Sequence, residues 1–304
     1  MTALSAQFWV HGPVFPVPVP FVEDGGVDLD GLAGYVRHLV GAGVQTLMTT
    51  IGTSRFALLT VEEMRAVNET VVQAAAGRAA VIVTTPPAGP LAQAREFVRH
   101  AASIDASAIL SVFPDRYYGE DAVFEYVRAL AADSPIPILL HLAPIPNGLG
   151  GAPYVPTVAL VRRLAGLPTV AGMKEESHSP AMSYAYNRQL GQELCIIGGA
   201  GGMRAYLTAS LWGQPAYLVG IGNVAPSIEL EFYEALRAGR LDRARALVFE
   251  VEEPFFDAAC RHGWHLSLKA ALAARGLMLP WERAPMPMLG EAARAELFHL
   301  LPTD

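Results

Sequence analysis

Lys174 closes a short apolar run, Val170-Ala171-Gly172-Met173, and Glu175, Glu176 and Ser177 follow it directly. Once it has lost its proton, a lysine amine attacks a carbonyl carbon and forms an imine; arginine does not, because its guanidinium stays protonated. Of the 22 lysines and arginines only Lys174 and Lys269 are lysine. Wherever a plain positive charge serves, this chain uses arginine, which marks both lysines for amine chemistry. The plain alternative for Lys174 is a strand-end ion pair with Glu175 or Glu176. Those two carboxylates form either an acid-base pair or an exposed residue beside one hydrogen-bonded across the rim. His141 ends the apolar run Ile138-Leu139-Leu140. It is either a group that exchanges protons near neutral pH or a histidine hydrogen-bonded at a strand end without that task.

Four loops add candidates. Gly52-Thr53-Ser54 brings small residues whose amides and hydroxyls can approach an anion, or it is only a tight turn. Arg55 beside it, and Arg204 further on, either meet an anionic substrate or lie in solvent. Tyr117 and Tyr118 offer phenols. Gly198 to Gly202 either cradles a phosphate or is an ordinary turn before a helix, and Gly220-Ile221-Gly222-Asn223 is a second glycine-rich turn. His262 and His265 stand three apart with Gly263 between them and no acidic partner alongside, so they read as no metal site. Cys195 and Cys260 are too few for a disulfide framework.

Regular alternation of elements positions these groups. Apolar runs at 44–50, 79–84, 108–112, 136–141, 170–174, 195–198 and 216–220 read as buried strands, and the proline-rich stretch 14–21 reads as a short or irregular first strand. Between them lie helical patterns with their own start signals: Asp28, the capping box Thr60-Val61-Glu62-Glu63, and Ser179-Pro180. Eight strand–helix units imply a parallel sheet closed as a (β/α)8 TIM barrel, with chemistry at the C-terminal ends of the strands. That places His141, Lys174, Gly198 and the four loops on one rim. Beyond Pro226 only helices are expected, with one running from Leu241 to about Ala259. The reading is therefore a barrel over 1–225 and a helical region over 226–304.

Composition narrows the class. In 304 residues, 52% are hydrophobic, 17% charged, and the formal charge is −7. No basic patch suggests nucleic acid, and no run reaches membrane-spanning length. The N-terminus, Met1 to Val10, lacks the pattern of a secretory leader, so a cytoplasmic protein is expected. The apolar excess points to subunit contacts.

The chain resembles the dihydrodipicolinate synthase / N-acetylneuraminate lyase family of lysine-dependent aldolases. The resemblance rests on His11-Gly12-Pro13 through Pro20-Phe21, Gly52-Thr53-Ser54 with Leu59-Thr60-Val61-Glu62-Glu63, and Ile138-Leu139-Leu140-His141-Leu142-Ala143-Pro144. It continues through Gly172-Met173-Lys174-Glu175, Gly220-Ile221-Gly222-Asn223-Val224-Ala225-Pro226 and Leu268-Lys269-Ala270-Ala271-Leu272. It implies that Lys174 forms an imine with pyruvate or another 2-oxo acid and makes or breaks a C–C bond to an aldehyde, without metal or other cofactor. It also implies that Gly52, Thr53 and Ser54 hold the carboxylate, that Gly198 and Ile221 contribute to the substrate site, and that the assembly is a homotetramer or dimer.

Departures from the family refine the expectation. His141 stands where the family has its relay tyrosine. The stretch Ile145 to Gly151 carries no cation where dihydrodipicolinate synthases place an arginine, which argues against that synthesis. Gly198 to Gly202 replaces the polar residues with which sugar-acid lyases grip a polyol. The expected activity is an imine-forming lyase or aldolase. Dehydration or decarboxylation of a 2-oxo acid through the same imine, and a binding homologue without turnover, stand as alternatives.

Overall fold

A computed structural model describes residues 8–113, 115–132, 134–147 and 151–301. Met1 to Gln7 of the N-terminal stretch, Gly148 to Gly150 of the cation-free loop, and the last three residues of the C-terminal region lie outside the described residues. Eight parallel strands follow one another around a closed barrel in chain order. They are β1 (Gly12–Pro16), β2 (Thr46–Met48), β3 (Ala80–Thr84), β4 (Ala108–Ser111), β5 (Ile138–Leu142), β6 (Val170–Glu175), β7 (Cys195–Gly198) and β8 (Ala216–Leu218). The expected (β/α)8 architecture is thus present. The connecting helices are α1 (Leu29–Gly41), α2 (Val61–Ala75), α3 (Leu91–Ser103), α4 (Glu120–Ala131), α5 (Val158–Ala165), α6 (Pro180–Leu190) and α7 (Gly202–Ala209), and α8 (Pro226–Arg237) follows β8.

Start signals work as their chemistry dictates. Asp28 accepts from the Gly31 amide at 2.9 Å, Thr60 and Glu63 form a reciprocal capping box, and Thr157 accepts from Leu160 at 3.1 Å. Four further helices complete the chain: α9 (Leu241–Ala246), α10 (Glu253–His262), α11 (Trp264–Ala274) and α12 (Glu291–His299). The single helix expected from Leu241 to about Ala259 is instead broken by a π-helical turn, Leu247–Glu252. Pro254 explains the break, because it removes a backbone donor and its ring crowds the preceding turn.

Two compact units divide the chain. One comprises Met1–Gly12, Val81–Ala200 and Thr208–Tyr217; the other comprises Pro13–Ala80, Gly201–Leu207 and Leu218–Asp304. Within the first, Leu140, Leu142 and Met173 point outward into a core with Val127, Leu160, Tyr186 and Leu190. Each such side chain contributes about 1.5–3 kcal/mol by leaving water. Strand alternation then sends His141 and Lys174 to the opposite face, and a slip of one residue would exchange Lys174 with Met173. Packing of the outer face therefore fixes the direction of the amine.

Candidate active site

The ends of β5 and β6 run in register, with His141 opposite Lys174 and Leu142 opposite Glu175. Register partners in adjacent parallel strands share a face, so the imidazole and the amine meet. The Glu176 amide donates to Leu142 O at 3.1 Å. That bond carries the strand path one residue past β6 and returns the Glu176 side chain, two positions from Lys174, to the same face. Lys174 and His141 converge on one oxygen of Glu176. Lys174 Nζ donates to Glu176 Oε2, and His141 Nε2 lies 2.7 Å from the same atom and 3.2 Å from Nζ. The Lys174 side chain is 5% exposed and that of Glu176 23%.

Electrostatics follow from this burial. Burial pushes the Lys174 amine below its ordinary value, against the opposing pull of Glu176. Burial also raises the Glu176 carboxyl, but the hydrogen bond from His141 and the charge of Lys174 outweigh it and hold the group at about 2. Burial and the neighbouring ammonium lower His141, so its imidazole is neutral at pH 7. An Nε2 that carries its hydrogen donates to Glu176 Oε2, and the lysine and histidine protons then point at a single acceptor.

Neither carboxylate after the lysine is exposed, contrary to the division expected from sequence. Glu175 is buried and accepts from the Ser177 amide at 2.8 Å. Of the two carboxylates the sequence offered, Glu176 is the one that meets the Lys174 amine, as its i, i+2 spacing on a strand implies. A Cβ at Gly198 would fall 2.4 Å from Gln214 Nε2, whereas one at Gly199 would lie 3.1 Å from Lys174 Cγ and 2.8 Å from Glu175 O. Gly199 is thus the glycine against the lysine, and only a glycine fits there.

Tyr117 stacks on Tyr154 with ring centroids 3.9 Å apart, and Tyr118 is 66% exposed. Among the described residues neither ring bonds to Lys174 or His141. In the second unit, Gly52–Ser54 forms a single 3-10 turn. Ser54 is fully buried and its hydroxyl donates to Val17 O at 2.6 Å, while Thr53 is half-buried and a Cβ at Gly52 would meet open space. Small residues there leave the backbone approachable. Arg55 is not a solvated surface charge: its side chain is 10% exposed and pairs with the buried Glu282 at 2.7 Å. Arg204 has its guanidinium over the Phe256 ring.

In the second unit, buried carboxylates hold the amides of the Gly220–Asn223 turn and of the start of α7. Glu229 accepts from the Gly220 and Gly222 amides, and Ile221 between them is buried. Glu252 accepts from the Met203 and Arg204 amides at 2.8 and 2.7 Å. The start of α7, where a phosphate would sit, is therefore filled by the protein's own anion, and Gly198 to Gly202 reads as a turn. His262 pairs with Glu296 at 2.8 Å. Among the described residues no group of three or more His, Cys, Asp or Glu is placed to hold a metal ion, and no helix is long and apolar enough to cross a membrane.

The sequence matches the Dihydrodipicolinate synthetase family over residues 10–303. It is 32% identical over 295 residues to an uncharacterized DapA-like lyase of Halobacterium salinarum, covering 95% of this chain and 92% of the relative. It is 30% identical over 297 residues to a probable 5-dehydro-4-deoxyglucarate dehydratase of Streptomyces avermitilis, covering 95% and 85%. A solved structure of a putative dihydrodipicolinate synthetase from Pseudomonas aeruginosa superposes with a TM-score of 0.85 at 25% identity, covering 96% and 98%.

Proposed function

The chain belongs to the dihydrodipicolinate synthetase family, and on that premise we propose that it is an imine-forming lyase or aldolase in which Lys174 condenses with pyruvate or another 2-oxo acid. The observation that carries this reading is the burial of Lys174, with a carboxylate and a neutral imidazole both in contact with its amine. Burial disfavours the ammonium, and a base to receive its proton is already in place.

The proton traffic can be written out. Glu176 takes a proton from Lys174, and the free amine adds to the ketone carbon. A C–N bond forms, the carbonyl electron pair moves to oxygen, and that oxygen takes the proton back from Glu176. The hydroxyl then receives a second proton, passed from nitrogen through Glu176, and leaves as water while the nitrogen lone pair closes the C=N bond. One ammonium and one ketone have become one protonated imine and one water. The imine draws electrons from the adjacent C–C bond, so an aldehyde can depart or add. His141 holds the Glu176 carboxylate through Nε2–H and stands beside the same nitrogen, which makes it the proton shuttle toward the substrate.

A second reading has its own support. The similarity to a probable 5-dehydro-4-deoxyglucarate dehydratase favours loss of water from a hydroxylated 2-oxo acid through the same imine, with Glu176 and His141 supplying acid and base.

Borohydride reduction in the presence of pyruvate tests the shared step. The expected result is a reduced adduct on the peptide bearing Lys174, absent from Lys174→Met. An adduct on Lys269, or none in wild type with either pyruvate or a longer 2-oxo acid, overturns the proposal.

A further inference from the structure

Lys269, the second of the two lysines, takes no part in the mechanism above, yet it is 4% exposed. It lies on α11, where its Nζ donates to Val19 O at 3.3 Å and sits 5.3 Å from the centre of the Phe21 ring. An ammonium has three donors, and one long hydrogen bond leaves most of that capacity unused. Glu282 is equally enclosed, with a side chain 3% exposed. Its Oε1 accepts from Arg55, while Oε2 is buried and has no hydrogen-bond partner among the described residues. Both residues line the same cavity of about 420 Å³, whose walls come entirely from residues 266–298. Leu266, Ala270, Met288 and Phe298 make most of the rest of it apolar.

A buried donor and a buried acceptor left open on one apolar wall describe a ligand with the complementary pair. The ammonium asks for an anion, since the charge of Glu282 is shared with Arg55. The carboxylate oxygen asks for a neutral donor. We propose that this cavity is a second small-molecule site, which takes a monocarboxylate carrying a neighbouring hydroxyl and an apolar tail. The carboxylate sits on Lys269, the hydroxyl donates to Glu282 Oε2, and the tail lies along α11 and α12. Lysine fits the role as a compact point charge, where the wide guanidinium used almost everywhere else in this chain would fill the space. Burial also brings the Lys269 amine down to about 8; with Glu282, Glu291 and Arg294 the other charged groups of the lining, binding weakens as pH rises through that value and the ammonium is lost.

The site is independent of the imine reading, and the probe keeps the two apart. A 2-hydroxy acid such as 2-hydroxyisocaproate has no ketone and cannot condense with Lys174. In wild type, acetylation of the two lysines is followed by peptide mass with and without the probe. Lys269 is expected to be protected and Lys174 to react at an unchanged rate. Calorimetry is expected to show an affinity reduced about tenfold or more in Lys269→Met and in Glu282→Gln, and unchanged in Lys174→Met. Protection at Lys174 instead, equal affinity in Lys269→Met, or no binding to wild type at about 10 mM probe overturns the inference. Because labelling is read on the unaltered protein, misfolding of a variant does not decide the outcome.

Discussion

Replacing Glu176 with glutamine separates two roles that its position allows, because they predict changes of opposite sign. If the carboxylate were only a counter-charge, its removal would leave burial of Lys174 opposed only by the charge of Glu175. The amine would lose its proton more readily, and imine formation at pH 7 would speed up. If Glu176 carries the protons, the same change removes the base that frees the amine and the acid that protonates the leaving hydroxyl. Proton transfer by a positioned group contributes about 10²–10⁴ in rate. The amide still fills the space and still accepts from His141, at a cost of about 1.5–3 kcal/mol for the lost charge on those hydrogen bonds. We therefore expect at least about a hundredfold slower adduct formation in Glu176→Gln, equivalent to about 2.7 kcal/mol of barrier, with the final yield of adduct at long times near that of wild type. Pyruvate with cyanoborohydride, quenched at intervals and read by intact mass, measures both quantities. A rate equal to or above wild type at pH 7 refutes the proton-carrier role while leaving Lys174 as the nucleophile.

Two further outcomes follow from the same contacts. His141→Ala is expected to leave Lys174 trappable while lowering turnover of the competent substrate by about 10² or more; unchanged turnover in a coupled assay removes His141 from the mechanism. Lys269→Met is expected to stabilise the fold at neutral pH. A lysine whose pKa falls from 10.5 in the unfolded chain to about 8 in the fold contributes fully above 10.5 and loses that contribution as pH falls through 8. The depression corresponds to about 3 kcal/mol, of which the lost Val19 hydrogen bond returns about 1. Urea unfolding should therefore show Lys269→Met more stable by about 2 kcal/mol at pH 7, with the gap closing toward pH 10. A variant less stable than wild type at pH 7 contradicts the burial argument.

Elements whose signals are local could be read from sequence, and those set by partners elsewhere in the chain could not. Apolar runs between turn residues located seven of the strands, because a strand buried on both faces needs little else, while the proline-rich stretch 14–21 only overlaps β1 at Gly12–Pro16. Asp28, Thr60 and Ser179 announced helix starts through bonds made within three residues. The π turn before Pro254 lay beyond such reasoning. It places Glu252 against the Met203 and Arg204 amides, 49 and 48 residues away in sequence, and no window of local periodicity contains both ends of that contact. Arg55 failed as a surface charge for the same reason, since Glu282 stands 227 residues from it.

The catalytic face shows where closer reading would have sufficed. Strand alternation alone puts Lys174 and Glu176 on one side and Met173 and Glu175 on the other, provided the strand path persists for one residue beyond the apolar run. That proviso is met by the Glu176 amide bonding to Leu142 O, a consequence of β5 also reaching past its histidine. The same register explains why a histidine can stand at the end of β5. Its ring reaches the carboxylate of Glu176 at 2.7 Å, so in the proposed mechanism the proton path to the amine would run along the rim between adjacent strands, without a phenol approaching from a loop. In the proposed mechanism, a carboxylate two residues after the lysine and a histidine in register with it act as one device. Replacing either alone should therefore disturb the other: His141→Ala removes the donor that holds Glu176 acidic, and the adduct-forming limb of its pH profile should move upward. An unmoved limb in that variant would show that the two act separately.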